Sequence, residues 1–435
     1  MRTAQFAFGK SGITASLPDG FTYMMVENRG AQPLPDVQAA LNHALDYPLA
    51  SPSLRQLAIG KKTAAISLCD ITRPVPNFLT LPPLLRRLHD AGIPIEGVSI
   101  LIATGLHRPA TDAEIQIIVG ADVASKYKVL NHDAMQVAEH RWLGSTASGT
   151  PVYVDERFIQ ADLHITLGLI EQHLMLGFSG GRKLIAPGVA GQKTIKVIHS
   201  PRFMREPNAT EGHTTDNPLH AELLEIARMA RHDFMLDVTL TREREISGIF
   251  AGEPVTAHAA GVQFLKDTSI EVVPFAADLV ISSAAGYPLD LTFYQTIKGI
   301  TAAQHIARSG GSILVIAECS EGIGSAEFER KLHDYTGHED YLEEIRDSKV
   351  ETDQWQLEKL ALVGLKHKLF FFTPGVSKRQ VGCLREHLYS DLAAAIDAAT
   401  AGLPTNARIA VVPEGPYVYA RVKQNDLAIA PQYAL

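Results

Sequence analysis

Residues 163–183 read LHITLGLIEQHLMLGFSGGRK: an apolar run, Leu163 to Leu169, stops abruptly and gives way to polar residues and glycines. Such a run reads as a strand buried on both faces, the signature of an inner strand in a parallel sheet. The same pattern recurs from Thr63 to Cys69, Val98 to Ala103, Leu279 to Ser283, Ser312 to Ala317, Leu369 to Thr373 and Arg408 to Val412. Between these runs lie stretches with apolar residues three and four apart, namely Leu81 to His89, Ala221 to Arg231, Tyr341 to Arg346 and Leu384 to Ala398. Strand and helix in alternation predict an α/β protein with mostly parallel sheets.

At 435 residues the chain is long for one core, and 46% hydrophobic with 20% charged residues is an ordinary globular composition. Two α/β domains are expected, 1–270 and 271–435, because one strand–helix series ends before Pro274 and ADLVISSAAGYP begins another. The last stretch, PEGPYVYARVKQNDLAIAPQYAL (413–435), is rich in β-formers and could return to either domain. A net charge of −8 without a basic cluster argues against nucleic acid. The three cysteines are dispersed and lack CxxC spacing, so reduced, mostly buried thiols are expected. The first residues, MRTAQFAFGKSG, lack the continuous apolar stretch of a signal peptide and no run of membrane-spanning length appears, so a cytoplasmic location is the expectation.

Polar residues cluster just past the strands. After Cys69, Asp70, Ile71, Thr72 and Arg73 occupy a loop that Pro74 and Pro76 keep from becoming helical. An acid, a hydroxyl and a guanidinium there suit a small anion, or else order a turn. After Ala103, TGLHRPAT places His107 in the turn before a helix capped by Thr111. A histidine so placed can shuttle protons at neutral pH, or can be a bystander. In GFSGGRK the glycines permit close backbone approach to a ligand. The spacing is neither GxxxxGK[ST] nor GxGxxG, which weakens an ordinary nucleotide reading. Lys183 could be a nucleophile in a partly apolar niche or a phosphate-steering cation. His173 precedes this loop, and His199 follows in KTIKVIHSPRF. A lone histidine binds a metal poorly unless another chelate supplies the remaining ligands. In the second half, GYPLDLTFYQTIKG carries Tyr294, Gln295 and Lys298 on a helix, positioned to grip a carboxylate or merely to form an exposed stripe. Trp355 reads as a packing residue.

Taken in order, DxTRP, TGLHRP, EQHxxxGFSGGRK, the later His199 and YPLDxxxYQxxKG resemble the lactate racemase family, enzymes that carry a nickel-pincer nucleotide. The resemblance implies two α/β domains with an interdomain active-site cleft. It implies a cofactor, the Ni(II) pyridinium-3,5-bisthiocarboxylate mononucleotide, attached covalently at Lys183, with His199 completing the metal's coordination. Asp70, Ile71, Thr72 and Arg73 would line the cofactor, and His107 and His173 would form the acid/base pair. Arg73, Tyr294, Gln295 and Lys298 would bind substrate. Ile71 departs from the family's frequent histidine, which argues against proton transfer there. The implied activity is racemisation or epimerisation at C2 of a 2-hydroxy acid by proton-coupled hydride transfer. Lactate, malate, an aromatic hydroxy acid and a sugar acid all remain open, Leu174, Met175, Leu291 and Phe293 flank the site, and cofactor-biosynthesis proteins are implied partners. A phospho-ligand-binding protein and a nicotinamide-dependent oxidoreductase are the rival readings; two histidines on separate strand ends go unexplained in the first, and the missing GxGxxG counts against the second.

Overall fold

The computed structural model describes residues 2–27 and 30–423. All seven apolar runs are strands, and they fall in two six-stranded sheets. The first sheet runs in the order Ile246–Gly252, Phe234–Leu240, Leu163–Leu169, Ala64–Cys69, Val98–Ala103, Lys128–Asn131. Only its Ile246–Gly252 edge is antiparallel. Every residue of Ala64–Cys69 and of Leu163–Leu169 is buried, as the unbroken apolar runs require of central strands. One apolar cluster lies around Leu41, Leu84 and Ile100, and a second around Val154, Ile195 and Leu223.

The second sheet is parallel throughout, in the order Leu388–Tyr389, Lys368–Phe372, Ala307–Ile316, Ala277–Ser283, Arg408–Val412, Thr22–Met25. Its core gathers Phe6, Leu17, Ile281, Leu314, Phe370 and Val411.

A single cut near residue 270 does not describe this division. The compact units are 29–269 with 325–361, and 1–28 with 270–324 and 362–435. The N-terminal segment joins the second unit because Thr22–Met25 hydrogen-bonds beside Arg408–Val412 as an edge strand. Residues 325–361 join the first because their side chains bury against the chain following His199. Within the C-terminal stretch, Tyr419–Val422 pairs with Ile270–Val273 inside the second unit; the remainder from 424 lies outside the described residues.

Leu384 to Ala398 is not one helix. A 3-10 turn, Gly382–His387, passes into the short strand Leu388–Tyr389, and a helix starts afresh at Leu392. Asp391 explains the restart, since its carboxylate caps the amide of Ala394 at 2.8 Å. Among the described residues no helix is long and apolar enough to cross a membrane.

Candidate active site

In the first unit the loops after three parallel strands meet at their carboxyl ends, the usual position for a site in an open α/β sheet. Gly105, at φ +56°, donates its amide to the Gly188 carbonyl at 3.0 Å, which ties the His107 loop to the Lys183 loop. Ser67, beneath them, donates to the Leu184 carbonyl at 2.7 Å.

Asp70 is buried, and its two oxygens have different partners. Oδ1 accepts from the Thr72 amide at 3.2 Å and the Thr72 hydroxyl at 2.5 Å, while Oδ2 faces His107 Nδ1 at 2.6 Å. Burial alone would raise the Asp70 carboxyl; His107, Thr72 and Arg73 overcome it and hold the group well below the usual carboxylate range. A carboxylate at Nδ1 places the ring proton there, so the neutral His107 presents a lone pair at Nε2. The His107 side chain is 44% exposed, so its ring can exchange protons with water.

His173 is arranged the other way. It pairs with Gly177 in a two-residue hairpin, and the amides of Met175 and Leu176 both point at its Nδ1 at 3.4 Å. Nδ1 therefore accepts, and the neutral ring carries its proton on Nε2. Leu174 and Met175 turn into the buried cluster around Val154 and Ile195, and Phe293 lies tilted against Phe371 in the second unit.

Ile71 packs against the apolar cluster rather than offering any proton-carrying group. Arg73 pairs through Nε with the Glu171 carboxylate, and its Nη1 donates to the carbonyl and hydroxyl of Thr72 at 3.3 Å each. Glu171 was legible as part of EQH, but sequence could not show its partner nearly a hundred residues away.

Lys183 follows Gly180 and Gly181, both at positive φ. The Gly181 amide donates to buried Asp237 at 2.7 Å, so a carboxylate on a neighbouring strand pins the loop that presents the lysine. Burial pushes the Asp237 carboxyl up to about 7, against the opposing pull of the Gly181 amide and Arg182. Burial, then the Arg73 guanidinium, lower the Lys183 amine to about 7, against the opposing pull of Glu171, Cys69 and Asp70. Near neutrality a large fraction of this amine is unprotonated, the form a nucleophile needs.

His199 closes the helix Gln192–Ile198 and is buried. Its Nδ1 donates to the Ile195 carbonyl at 2.8 Å, which leaves the Nε2 lone pair for a metal. Burial lowers its pKa to about 4, so the ring is neutral. Among the described residues no group of three or more His, Cys, Asp or Glu could hold a metal ion. Cys69 and Cys319 are buried free thiols and Cys383 is a half-buried one.

The remaining candidates lie in the second unit, on the helix Phe293–Ala303. Gln295 is buried there, and its side-chain oxygen has no hydrogen-bond partner. Tyr294 and Lys298 are half-buried.

Residues 8–212 match the lactate racemase N-terminal domain, and residues 272–419 match the lactate racemase C-terminal domain. The chain is 34% identical over 381 residues to the lactate racemase of Lactiplantibacillus plantarum, covering 87% of this chain and 89% of that protein. It is 32% identical over 430 residues to the lactate racemase of Thermoanaerobacterium thermosaccharolyticum, covering 97% and 100% respectively. The solved structure of the lactate racemase apoprotein from Thermoanaerobacterium thermosaccharolyticum superposes with a TM-score of 0.87 at 31% identity, covering 97% of this chain and 100% of that one. A Thermotoga maritima protein shares the fold at a TM-score of 0.67 and 16% identity, covering 91% of this chain and all 100% of that one. The chain belongs to the lactate racemase family and is an isomerase, a racemase, of that family.

Proposed function

We propose that this racemase interconverts the C2 configurations of a lactate-like 2-hydroxy acid, with His107 and His173 as the proton-handling pair. The observation that carries the reading is their opposite tautomers. His107 offers a lone pair at Nε2 because Asp70 holds its Nδ1 proton at 2.6 Å, and His173 offers a proton at Nε2 because two amides occupy its Nδ1. Inversion requires a base for the hydroxyl of one enantiomer and an acid for the oxygen of the other. In the resting pair Nε2 of His107 can take a hydroxyl proton, while Nε2–H of His173 can donate a hydrogen bond to the substrate oxygen; His173 gives up a proton only from its imidazolium form. Taking the hydroxyl proton leaves His107 as an imidazolium, and its exposed ring can pass that proton to water. Asp70 stabilises the imidazolium formed when His107 accepts a proton. Arg73, held in its plane by Glu171 and Thr72, offers donors to the substrate carboxylate, and Lys298, Tyr294 and Gln295 are proposed as substrate-binding residues.

The residues present fit the cofactor that the family resemblance implies. Lys183 is an amine reactive near neutral pH behind two glycines, suited to covalent attachment. His199 is a neutral imidazole with its lone pair directed away from its own helix, and one such ligand suffices where an organic chelate supplies the others. When bound, the nickel-pincer nucleotide would supply a reversible two-electron acceptor for the C2 hydrogen, which the side chains of this chain cannot provide.

The test uses protein produced in cells that make the cofactor. Intact mass should show an adduct at Lys183 with about one nickel per chain, and a single enantiomer of lactate should racemise. Folded material that carries the adduct and racemises no 2-hydroxy acid would sink the assignment.

A further inference from the structure

The segment 325–361 leaves the second unit and packs with the first. Its last helix, Gln354–Gly364, carries Trp355, Glu358 and Lys359 at positions i, i+3 and i+4, hence on one face. That face meets the chain around and after His199. The Trp355 indole lies against the His199 imidazole, with ring centroids 4.4 Å apart and planes at 41°. Glu358 accepts from Arg205 Nε at 2.8 Å, and the Lys359 ammonium donates to the carbonyls of Met204 and Ala209 at 2.9 Å each. Arg205 also donates to the Leu342 carbonyl at 2.6 Å. Three polar anchors therefore fix the helix in register, and Trp355, only 4% exposed, is the apolar contact they align. At the start of the same helix Asp353 accepts from Ser325 at 2.5 Å and lies within electrostatic reach of His107.

An imidazole that binds a metal must hold both the identity and the direction of its free nitrogen. The Ile195 carbonyl settles the identity by engaging Nδ1. A single hydrogen bond leaves the ring free to swing about it, and the indole opposes that swing. We propose that Trp355 is a positioning residue for His199, and that residues 325–361 thereby complete the metal-ligand side of the site. This inference rests on the reading of His199 as the nickel ligand.

Trp355→Phe keeps an aromatic plane against the imidazole, whereas Trp355→Leu keeps only bulk. In cofactor-free protein labelled with nitrogen-15 histidine, wild type and the Phe variant should show His199 as a single Nδ1–H tautomer. The Leu variant should keep that tautomer and show broadened ring signals from a ring that samples more than one direction. In cofactor-loaded protein the Leu variant should lose nickel to a chelator about tenfold faster, with the Lys183 adduct mass unchanged. Fluorescence of Trp142, the other tryptophan of the two in the chain, reports folding in both variants. A folded Leu variant that matches wild type in ring signals and nickel loss overturns the role of Trp355. Wild-type protein that carries the adduct and never acquires nickel overturns the metal reading instead, and the ring signals still decide whether Trp355 orders His199.

Discussion

Asp70 Oδ2 lies 2.6 Å from His107 Nδ1, while its Oδ1 takes both donors of Thr72. This split dictates what an amide at position 70 would do. In Asp70→Asn the carbonyl must stay with the Thr72 donors, so the amide nitrogen faces His107. Its protons force Nδ1 to accept, and the ring proton moves to Nε2, removing the base. Turnover should fall on the order of 10²–10⁴-fold, with the cofactor still attached at Lys183. Racemisation within about threefold of wild type would mean that Asp70 does not set the tautomer.

Lys183 should stand out from the other lysines when the cofactor is absent. Its amine titrates near 7, against an ordinary 10.5. An amine-acylating reagent should therefore label it preferentially, at a rate that rises steeply from pH 6 to 8. Arg73 depresses this amine, so Arg73→Ala should shift the labelling profile to higher pH. Stability follows the same linkage. Between about pH 7 and 10 the unfolded chain holds a proton that the folded one has lost, so this group makes stability rise with pH. Lys183→Met should thus raise the melting temperature of the cofactor-free protein most at pH 7 and below, with the gain fading toward pH 10. A gain that does not depend on pH would refute the depressed amine.

The inner strands were legible because burial on both faces writes itself as an unbroken apolar run, as in Leu163–Leu169. The edge strand Thr22–Met25 was not, because it is half-exposed and carries neither alternation nor a long run. His107 and His173 stood out by residue type and by position past strands, Lys183 by following the glycine loop, and His199 by residue type alone. What sequence could not supply were partners distant in the chain. Asp70 read as a ligand-loop acid, and only the fold shows it holding His107. Asp237 lay inside an apolar strand, and Trp355 read as packing, which it is, although the surface it packs on is His199. The excursion of 325–361 could not be anticipated, since a helix pattern records which face is buried and not which unit buries it.

Arg73→Lys tests whether a fixed guanidinium plane matters. Arg73 is anchored at Nε by Glu171 and at Nη1 by Thr72, a geometry that a single ammonium cannot reproduce. The KM for a 2-hydroxy acid should rise about 10–100-fold, with a smaller change in kcat. An unchanged KM would remove Arg73 from carboxylate recognition.

Gly180→Ala probes the loop that presents the lysine. Gly180 sits at φ +85°, and a Cβ there would lie 2.2 Å from Asp237 Oδ2. Two costs coincide: backbone strain of about 1–2 kcal/mol for a side chain in this region, and displacement of the carboxylate that holds the Gly181 amide. Asp237 is enclosed within the strand Phe234–Leu240 and cannot swing away, so the loop must move. The variant should fold with a lowered melting temperature and take up the Lys183 adduct poorly under conditions that load wild type. Asp237→Asn retains an acceptor for the Gly181 amide and should load more fully than Gly180→Ala. If Gly180→Ala loads as completely as wild type, the close approach of loop and carboxylate has no part in presenting Lys183.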